Sequence, residues 1–241
     1  MYPELLKIGN FTIYTYGVLV ALGFFTGIQY VVKYSKNFID KQQIYDFLFY
    51  VIIFGIIGAR LFYVLINLQY YISNPLEIVQ VWNGGLVYYG GFAVVLVFSY
   101  FYCKRKKINL LKFADIFAPA LALGHSFGRI GCFFSGCCYG KNTDCFLAIA
   151  HKHPTQLYES LGNIIIFFIL HKSLKKEHTN GNIFISYMLL YSILRFFVEF
   201  LRGDDRGEFL FGLSPAQNIS IIIFIIALIL LFICKKKNKK N

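Results

Sequence analysis

The chain has 241 residues, of which 57% are hydrophobic and only 15% are charged, and its formal net charge is +12. So low a charged fraction argues against a soluble fold and indicates an integral membrane protein. A basic chain can also bind nucleic acid, but the lysines and arginines here lie between apolar segments. Because they form no basic helix face with interleaved aromatic residues, we expect no nucleic-acid partner.

Seven apolar segments are long enough, or nearly so, to span a bilayer, which takes about 20 predominantly apolar residues. The predicted segments are 13–32, 47–66, 86–103, 116–134, 155–170, 182–201 and 217–234, and the fifth is the shortest. The first has neither a basic leader before it nor a small-residue cleavage site after it, which predicts an uncleaved anchor. We therefore predict an all-α polytopic membrane protein that forms a single domain over residues 1–241.

The basic residues in the connections predict which side of the membrane each connection occupies. Alternate connections and the C-terminal tail carry sixteen lysines and arginines, at 33–41, 104–112, 172–176 and 235–240. The opposite connections carry four, which are Lys7, Lys141, Lys152 and Arg206. Because short cytoplasmic loops are enriched in basic residues, we predict an outside N-terminus, a small extracytoplasmic region at 134–154 and a basic cytoplasmic tail at 235–241.

The fourth segment carries an arginine inside an otherwise apolar run. His125 and Arg129 are four residues apart, so on a helix both side chains project from one face. Placing an arginine in hydrocarbon costs about 2.5 to 3.5 kcal/mol on insertion scales, so such a residue normally faces a polar interior and marks a functional site. The alternative is an arginine that pairs with an acid to pack two helices, and we assign Arg60 and Asp115 such packing or topology roles.

Further charged residues lie in the fifth and sixth segments, near the same predicted membrane face. Arg195, Glu199 and Arg202 are spaced four and three residues apart, which gives one helix face an Arg-Glu-Arg column. With Arg129 and Glu159 this makes three arginines against two glutamates, so one cation is left over. Because guanidinium groups bind phosphate through paired hydrogen bonds, we expect a phospholipid headgroup as ligand. The alternative is a purely structural network of ion pairs.

The six cysteines do not have the spacing of a zinc site. Cys137 and Cys138 are adjacent, and no Cys-x-x-Cys pair is matched by a second one, so we predict no metal site. The predicted topology places Cys132, Cys137, Cys138 and Cys145 toward an oxidising compartment. A disulfide among them is one interpretation, and small buried residues in a turn is the other.

These features resemble those of the bacterial prolipoprotein diacylglyceryl transferase family, and the resemblance covers nearly the whole chain. It rests on Gly128-Arg129-Ile130-Gly131, on the run from His153 to Glu159, on Arg195 with Glu199 and Arg202, on Leu213-Ser214 with Gln217, on Tyr16-Gly17, and on the glycine-rich run 82–91. The order of these motifs agrees with the topology that the basic residues predict independently.

The resemblance implies that phosphatidylglycerol donates its diacylglyceryl group to the lipobox cysteine thiol in the signal peptide of an exported prolipoprotein, and that glycerol phosphate leaves. It also implies a bacterial cytoplasmic membrane protein with its site at the outer face, among membrane lipids. Arginines would stabilise the charge on the leaving phosphate, and this chemistry requires no metal or other cofactor. The predicted catalytic residues are Arg129, Arg195, Glu159, Glu199, Tyr89 and His125. The predicted phosphatidylglycerol-binding residues are Arg129, Arg195, Arg202, Tyr16 and Gln156.

The chain departs from the family's best-known pattern at three positions. Many members carry asparagine where this chain has Cys132, glutamate where it has Cys137, and histidine where it has Tyr89. The proposed thiol-activating base is therefore absent, since tyrosine is a poor base at neutral pH. Glu159 or His125 would have to substitute for it, or the thiol would ionise beside the arginines themselves.

Alternatives from other functional classes remain open at this point. A membrane thiol-redox protein would use Cys137 and Cys138, although vicinal cysteines form only strained disulfides and no Cys-x-x-Cys partner exists for relay. A family member with a changed acceptor, or a non-catalytic lipid-binding protein, would keep the fold and the phosphate site but not the acceptor site.

Overall fold

The computed structural model describes residues 3–9, 11–36, 38–204 and 212–238. Arg206 and the end of the basic tail, residues 239–241, lie outside the described residues, and only the backbone of residues 235–238 is described. Helices account for 74% of the structure, which confirms a mainly helical protein.

The described part of the chain contains eight α-helices, two short 3₁₀ helices at Pro75–Val79 and Val81–Asn83, and one β-hairpin. The strands β1 (Glu4–Ile8) and β2 (Phe11–Tyr14) pair antiparallel. The helices are α1 (Thr15–Tyr34), α2 (Lys41–Ile66), α3 (Leu68–Ser73), α4 (Tyr88–Arg105), α5 (Leu110–Ser135), α6 (Thr155–Leu174), α7 (Asn182–Phe200) and α8 (Pro215–Asn238). The hairpin corrects the all-α prediction, which overlooked the Gly-Asn turn signal at residues 9 and 10.

Helices occupy all seven segments that the sequence predicts as apolar spans. Five of them, α1, α2, α5, α7 and α8 up to Cys234, are long and apolar enough to cross a membrane by length and composition. The sixth helix of the chain, α6, contains the polar residues Gln156, Glu159 and Asn163, which lower its mean hydropathy and whose side chains are buried. The apolar helices make this an integral membrane protein.

The chain forms two compact units, and the larger one consists of residues 1–34 and 111–241. Its core is built by α5, α6 and α7, through Ala118, Ala122, Ile166, Leu170 and Ile183. Small residues let α1 and α5 approach closely, because a Cβ atom on Gly23 would lie 3.1 Å from the carbonyl oxygen of Gly124. This packing brings the three helices that carry the conspicuous charged residues into one unit.

Asp115 on α5 holds the start of α7. Its carboxylate accepts hydrogen bonds from the backbone N–H groups of Gly181 at 2.6 Å and Phe184 at 2.8 Å. N–H groups at the start of a helix have few intrahelical acceptors, and a carboxylate there also complements the helix dipole. The Nε2 atom of His178 also lies 3.8 Å from a carboxylate oxygen of Asp115. These contacts agree with the packing role that the sequence assigns to Asp115.

Replacing Asp115 with alanine is expected to lower the melting temperature of the purified protein. Hydrogen bonds to a charged group are each worth about 1.5 to 3 kcal/mol, and the substitution removes two of them. Thermal unfolding in detergent measures the effect, with Asp144→Ala as the control because the Asp144 side chain is 98% exposed. Equal melting temperatures for the two variants would contradict this role for Asp115.

The smaller unit comprises residues 35–110 and contains α2, α3 and α4. Two pairs of glycines let α2 and α4 pack backbone to backbone. A Cβ atom on Gly91 would lie 2.6 Å from the carbonyl oxygen of Gly55, and one on Gly58 would lie 2.9 Å from that of Gly90. A larger residue at Gly58, Gly90 or Gly91 would therefore push the two helices apart.

Arg60 organises the connection between α3 and α4 in the smaller unit. Its guanidinium donates to four backbone carbonyl oxygens, at distances of 2.5 to 3.1 Å. The acceptors belong to Glu77, Ile78, Gly84 and Gly85. The N–H groups of Arg60 are thus hydrogen-bonded to neutral backbone carbonyl groups that they hold in place. This agrees with the packing role that the sequence analysis assigns to Arg60.

Candidate active site

Arg129 on α5 and Glu159 on α6 form an ion pair inside the larger unit. The Arg129 Nε atom lies 3.0 Å from Glu159 Oε1, and the side chains are 16% and 1% exposed. Asn163, one helical turn further along α6, donates its Nδ2 to the backbone carbonyl of Glu159 at 2.8 Å. Since an unpaired buried charge is costly, Glu159 keeps the charged arginine in the protein interior.

Tyr191 on α7 links this ion pair to His125. Its hydroxyl donates to Glu159 Oε1 at 3.1 Å and lies 3.4 Å from His125 Nε2. The Tyr191 hydroxyl has a single proton, which it donates to Glu159. Toward His125 it can therefore act only as a hydrogen-bond acceptor, which requires that His125 carry a proton on Nε2. The sequence analysis missed Tyr191, although it precedes Arg195 by four residues and so lies on the same face of α7.

A second group of charged residues lies at the end of α7. Arg195 Nη1 lies 2.6 Å from Glu199 Oε2, and Arg202 Nε lies 3.5 Å from the same oxygen. The other carboxylate oxygen of Glu199 accepts a hydrogen bond from Ser214 Oγ at 2.9 Å. Glu199 therefore sits between two arginines, as the spacing on the helix predicts.

The motif Ser214 with Gln217 explains how that hydroxyl is positioned. Ser214 precedes the first residue of α8, and its backbone N–H donates to Gln217 Oε1 at 3.0 Å. In return, the backbone N–H of Gln217 lies 3.3 Å from Ser214 Oγ. This reciprocal pair is a capping box, so the start of α8 and the position of the Glu199 partner depend on the same two residues.

Asp204 changes the charge balance that the sequence analysis predicts. Arg202 donates from Nε and Nη2 to the two carboxylate oxygens of Asp204, at 2.8 and 2.6 Å. Among the residues that the structure describes here, three arginines thus face three carboxylates, so the predicted surplus of one cation is wrong as a count. The prediction failed because Asp204 lies beyond the apolar segment, in a stretch that helix spacing does not describe.

The two charged groups form one cluster within the larger unit. The charges of Arg129, Glu159 and Arg195 all act on both His125 and Tyr191. Among the described residues, the guanidinium groups of Arg129 and Arg195 each pair with one carboxylate. A guanidinium has five N–H donors, so each of these arginines can bind a further anion without losing its carboxylate.

The chain turns back sharply where α5 ends at Ser135. Gly136 has a φ of +73°, a left-handed conformation that glycine adopts without strain. Its N–H donates to the Phe133 carbonyl at 3.1 Å, and the N–H of Cys137 donates to the Cys132 carbonyl at 3.2 Å. This pair of bonds is a Schellman motif, which places the side chains at its two ends in contact. Cys132 and Cys137 therefore meet, although they are five positions apart in the sequence.

Cys138 joins these two cysteines, and the three sulfur atoms lie within 4.8 Å of one another. Hydrogen bonds from the Cys132 thiol and from Arg202 lower the pKa of Cys138, against the opposing effect of burial. Two side chains of α6 hydrogen-bond to the backbone of this turn. Gln156 Nε2 donates to the Cys137 carbonyl at 2.6 Å, and Thr155 Oγ1 donates to the Cys138 carbonyl at 2.9 Å. Gln156 thus positions the cysteine turn.

No disulfide bond joins any of the six cysteines in the structure, Cys145 included. The spacing argument that predicted no metal site considered only Cys-x-x-Cys pairs, and it overlooked a turn that brings Cys132, Cys137 and Cys138 together. The Gly-Cys-Cys sequence directly after a helix was the signal that the sequence offered.

Two predicted site residues lie outside the charged cluster. Tyr16, the second residue of α1, is 45% exposed, and its ring packs on Gly131, where a Cβ atom would lie 2.9 Å from ring atom Cδ2. Tyr89 belongs to the smaller unit, near the start of α4, where it is 59% exposed and its ring contacts that of Tyr88.

Comparison with known proteins identifies the family to which this arrangement belongs. The family model described as prolipoprotein diacylglyceryl transferase matches residues 3–233. The chain belongs to the prolipoprotein diacylglyceryl transferase family. The match contains both charged groups and the cysteine turn.

Individual relatives cover nearly the whole chain. The phosphatidylglycerol–prolipoprotein diacylglyceryl transferase of Finegoldia magna is 41% identical over 94% of this chain and 93% of its own length. The enzyme of the same name from Clostridium tetani is 36% identical over 95% of this chain and 96% of its own length. That from Clostridium novyi is 33% identical over 100% of this chain and 99% of its own. The similarity to these three transferases therefore extends over nearly the whole chain.

Proposed function

We propose that this protein is a membrane enzyme that transfers the diacylglyceryl group of phosphatidylglycerol to a cysteine thiol of a prolipoprotein. The observation that carries the proposal is the buried cluster in which Arg129 and Arg195 each keep one carboxylate partner and act on the same two side chains. Two such guanidinium groups suit one phosphate group. Family membership supplies the reaction class.

Arg129 and Arg195 hold the donor phosphate in this proposal. The phosphodiester of phosphatidylglycerol carries one negative charge, and a second develops when the bond between the diacylglyceryl carbon and oxygen breaks. Fixed guanidinium donors aimed at that phosphate stabilise the departing glycerol phosphate more than the bound lipid, which is the condition for faster transfer. Glu159 and Glu199 fix the two guanidinium groups in place.

Arg202 and Gln156 have narrower roles than the sequence analysis assigns to them. Arg202 is committed to Asp204 through two hydrogen bonds and also contacts Glu199 and Cys138. We assign it to positioning these groups, and Gln156 to positioning the cysteine turn. Tyr16 remains the candidate contact to the glycerol headgroup, because its ring lies half-exposed beside Gly131.

The acceptor in this proposal is the lipobox cysteine of an exported prolipoprotein, which enters from the membrane with its signal peptide. The protein then lies in the bacterial cytoplasmic membrane with its site at the outer face. A changed acceptor and a purely lipid-binding role are disfavoured, because the relatives that match the whole chain are named as transferases to prolipoprotein. The same match disfavours a thiol-redox protein.

We extend the five apolar helices to seven spans by including α4 and α6, with the N-terminus outside and the C-terminus in the cytoplasm. The support is the distribution of basic residues, sixteen on one side against four on the other. This orientation places residues 134–154, which contain the cysteine turn, on the outer side.

Fusions of a phosphatase that is active only outside the cytoplasm are expected to be active after Asn142 and inactive after Asn241. The positive-inside distribution of lysines and arginines is the physical reason. A cytoplasm-active reporter at the same two positions serves as the control and should give the opposite pattern. Phosphatase activity at Asn241 would overturn the topology and the outer location of the site.

Rescue of lipoprotein modification tests the function directly. Cells depleted of their own transferase are expected to recover diacylglyceryl-modified lipoprotein when they express this chain. Expression of Arg129→Ala at the same level is the control, because it keeps the protein but removes a phosphate-binding guanidinium. Failure of the wild type to restore modification, together with no release of glycerol phosphate by the purified protein, would refute the transferase function.

A further inference from the structure

The transfer reaction needs a thiolate, and two of the three candidate bases that the sequence predicts, Glu159, Tyr89 and His125, are unsuited to form it. The Glu159 carboxylate forms an ion pair with Arg129 and accepts a hydrogen bond from the Tyr191 hydroxyl. Tyrosine at position 89 does not supply a base either. The three clustered thiols offer another way to activate the acceptor.

We propose that Cys132, Cys137 and Cys138 bind one Zn²⁺ ion and that the acceptor thiol completes its coordination as the fourth ligand. This inference rests on the proposed transferase function. It adds a metal that activates the acceptor, whereas the arginines act on the donor.

The geometry of the three sulfur atoms suits one ion. They lie within 4.8 Å of one another. Zinc–sulfur bonds of about 2.3 Å in a tetrahedron place sulfur atoms about 3.8 Å apart, so the widest pair closes by about 1 Å. Each cysteine side chain rotates about a single bond, and the Schellman motif already holds Cys132 and Cys137 together.

The number and type of ligands indicate a catalytic zinc site. Thiolates select soft metals such as zinc over magnesium or calcium, whose ligands are oxygen atoms. Structural zinc sites close all four positions with protein ligands, whereas catalytic sites use three and keep the fourth for water or substrate. Within the described residues, the cluster contains three thiols and no fourth histidine, cysteine or carboxylate.

Charge and position also favour this assignment. Three thiolates around Zn²⁺ carry one net negative charge, and Arg202 donates a hydrogen bond to Cys138. The charge of Arg129 acts on both Cys132 and Cys138. Arg129 and Cys132 are three residues apart on α5, so they share one side of the helix. A thiolate held at the metal therefore lies beside the proposed phosphate site.

The reaction balances without an oxidant or reductant. The acceptor thiol gives its proton to water as its sulfur binds the metal, because a coordinating thiol is deprotonated. The sulfur electron pair then forms a bond to the diacylglyceryl carbon while the carbon–oxygen bond breaks and its electron pair moves to the phosphate oxygen. Glycerol phosphate leaves as a dianion at Arg129 and Arg195. The product thioether is neutral and binds zinc more weakly than the thiolate, which releases it.

Metal analysis of the purified full-length protein is the first test. We expect about one zinc per chain, and loss of that zinc in Cys132→Ser, Cys137→Ser and Cys138→Ser. Cys145→Ser is the matched control, since Cys145 lies in the same extracytoplasmic region outside the three-thiol cluster. Wild-type protein that retains no zinc after growth and purification with zinc, or zinc that survives all three substitutions, would overturn the proposal without relying on the folding of any variant.

Cobalt substitution tests the open fourth position. Co²⁺ added to the metal-free protein is expected to give a thiolate-to-cobalt absorption band, and a lipobox peptide with its cysteine is expected to change that band. The same peptide with serine at that position is the control and should leave the band unchanged. An unchanged band with the cysteine peptide would overturn the role of the acceptor as a ligand.

Activity at mildly acidic pH separates this inference from the transferase function itself. A free thiol with a pKa of about 8.5 is only about 1% ionised at pH 6.5, so removing zinc should slow glycerol phosphate release at least about tenfold, and one equivalent of Zn²⁺ should restore it. Full activity of the metal-free protein would refute the zinc proposal and leave the transferase standing. Inactivity with and without zinc, combined with normal zinc content, would instead count against the proposed function.

Discussion

Arg129→Ala is expected to slow the phosphatidylglycerol-dependent release of glycerol phosphate by about tenfold to a hundredfold for each hydrogen bond to the phosphate that is lost, because a charge-assisted hydrogen bond is worth about 1.5 to 3 kcal/mol. Arg129→Lys should fall between the wild type and alanine. Lysine keeps the positive charge but cannot reproduce the paired hydrogen bonds of a guanidinium.

The measurement is glycerol phosphate release by protein purified in detergent and supplied with phosphatidylglycerol and a lipobox peptide. Arg105→Ala is the matched control, because Arg105 is an exposed arginine at the end of α4. A normal rate for Arg129→Ala would keep the enzyme and discard this phosphate site. A lysine variant as fast as the wild type would show that charge alone is sufficient.

Glu159→Leu is expected to destabilise the protein by about 3 to 5 kcal/mol, the cost of leaving a buried charge without its partner. The Glu159 side chain is 1% exposed and forms the ion pair of Arg129, so removing it strands that guanidinium inside the larger unit. The double variant Arg129→Met, Glu159→Leu should regain much of the stability, since replacing a buried ion pair with apolar residues is often neutral. It should nevertheless stay inactive.

Melting temperature in detergent and glycerol phosphate release, measured on the same preparations, separate these two effects. Glu177→Leu is the control because Glu177 is exposed. If the double variant were no more stable than Glu159→Leu, the ion pair would not be the source of the instability. An active double variant would show that transfer does not depend on the Arg129 guanidinium.

The helices and the charged columns on them follow from the sequence alone. An apolar run of about 20 residues has few alternatives to a helix in a membrane, because every backbone N–H and C=O must be paired within the segment. Helical periodicity then places Arg195, Glu199 and Arg202 on one face, and the structure has the predicted ion pairs at both of these spacings. The count and orientation of the spans stay predictions.

Tertiary structure decided which partners these side chains have. Tyr191 reaches Glu159 and His125 only because α5, α6 and α7 pack together, and a pairing between helices leaves no fixed spacing in the sequence. Asp204 lies past the end of α7, where helical periodicity no longer predicts direction, so the charge count from the sequence omitted it.

The cysteine cluster shows the same division most clearly. On a continuous helix, residues five positions apart such as Cys132 and Cys137 point to different faces, so their spacing indicates no common site. The left-handed conformation of Gly136 ends α5 and folds the chain back, which brings both thiols and that of Cys138 together. The sequence alone determined the helices, because their hydrogen bonds and apolar runs are local. The contacts between helices, and the direction of the chain after each helix ends, depend on packing and turn geometry that only the folded protein defines.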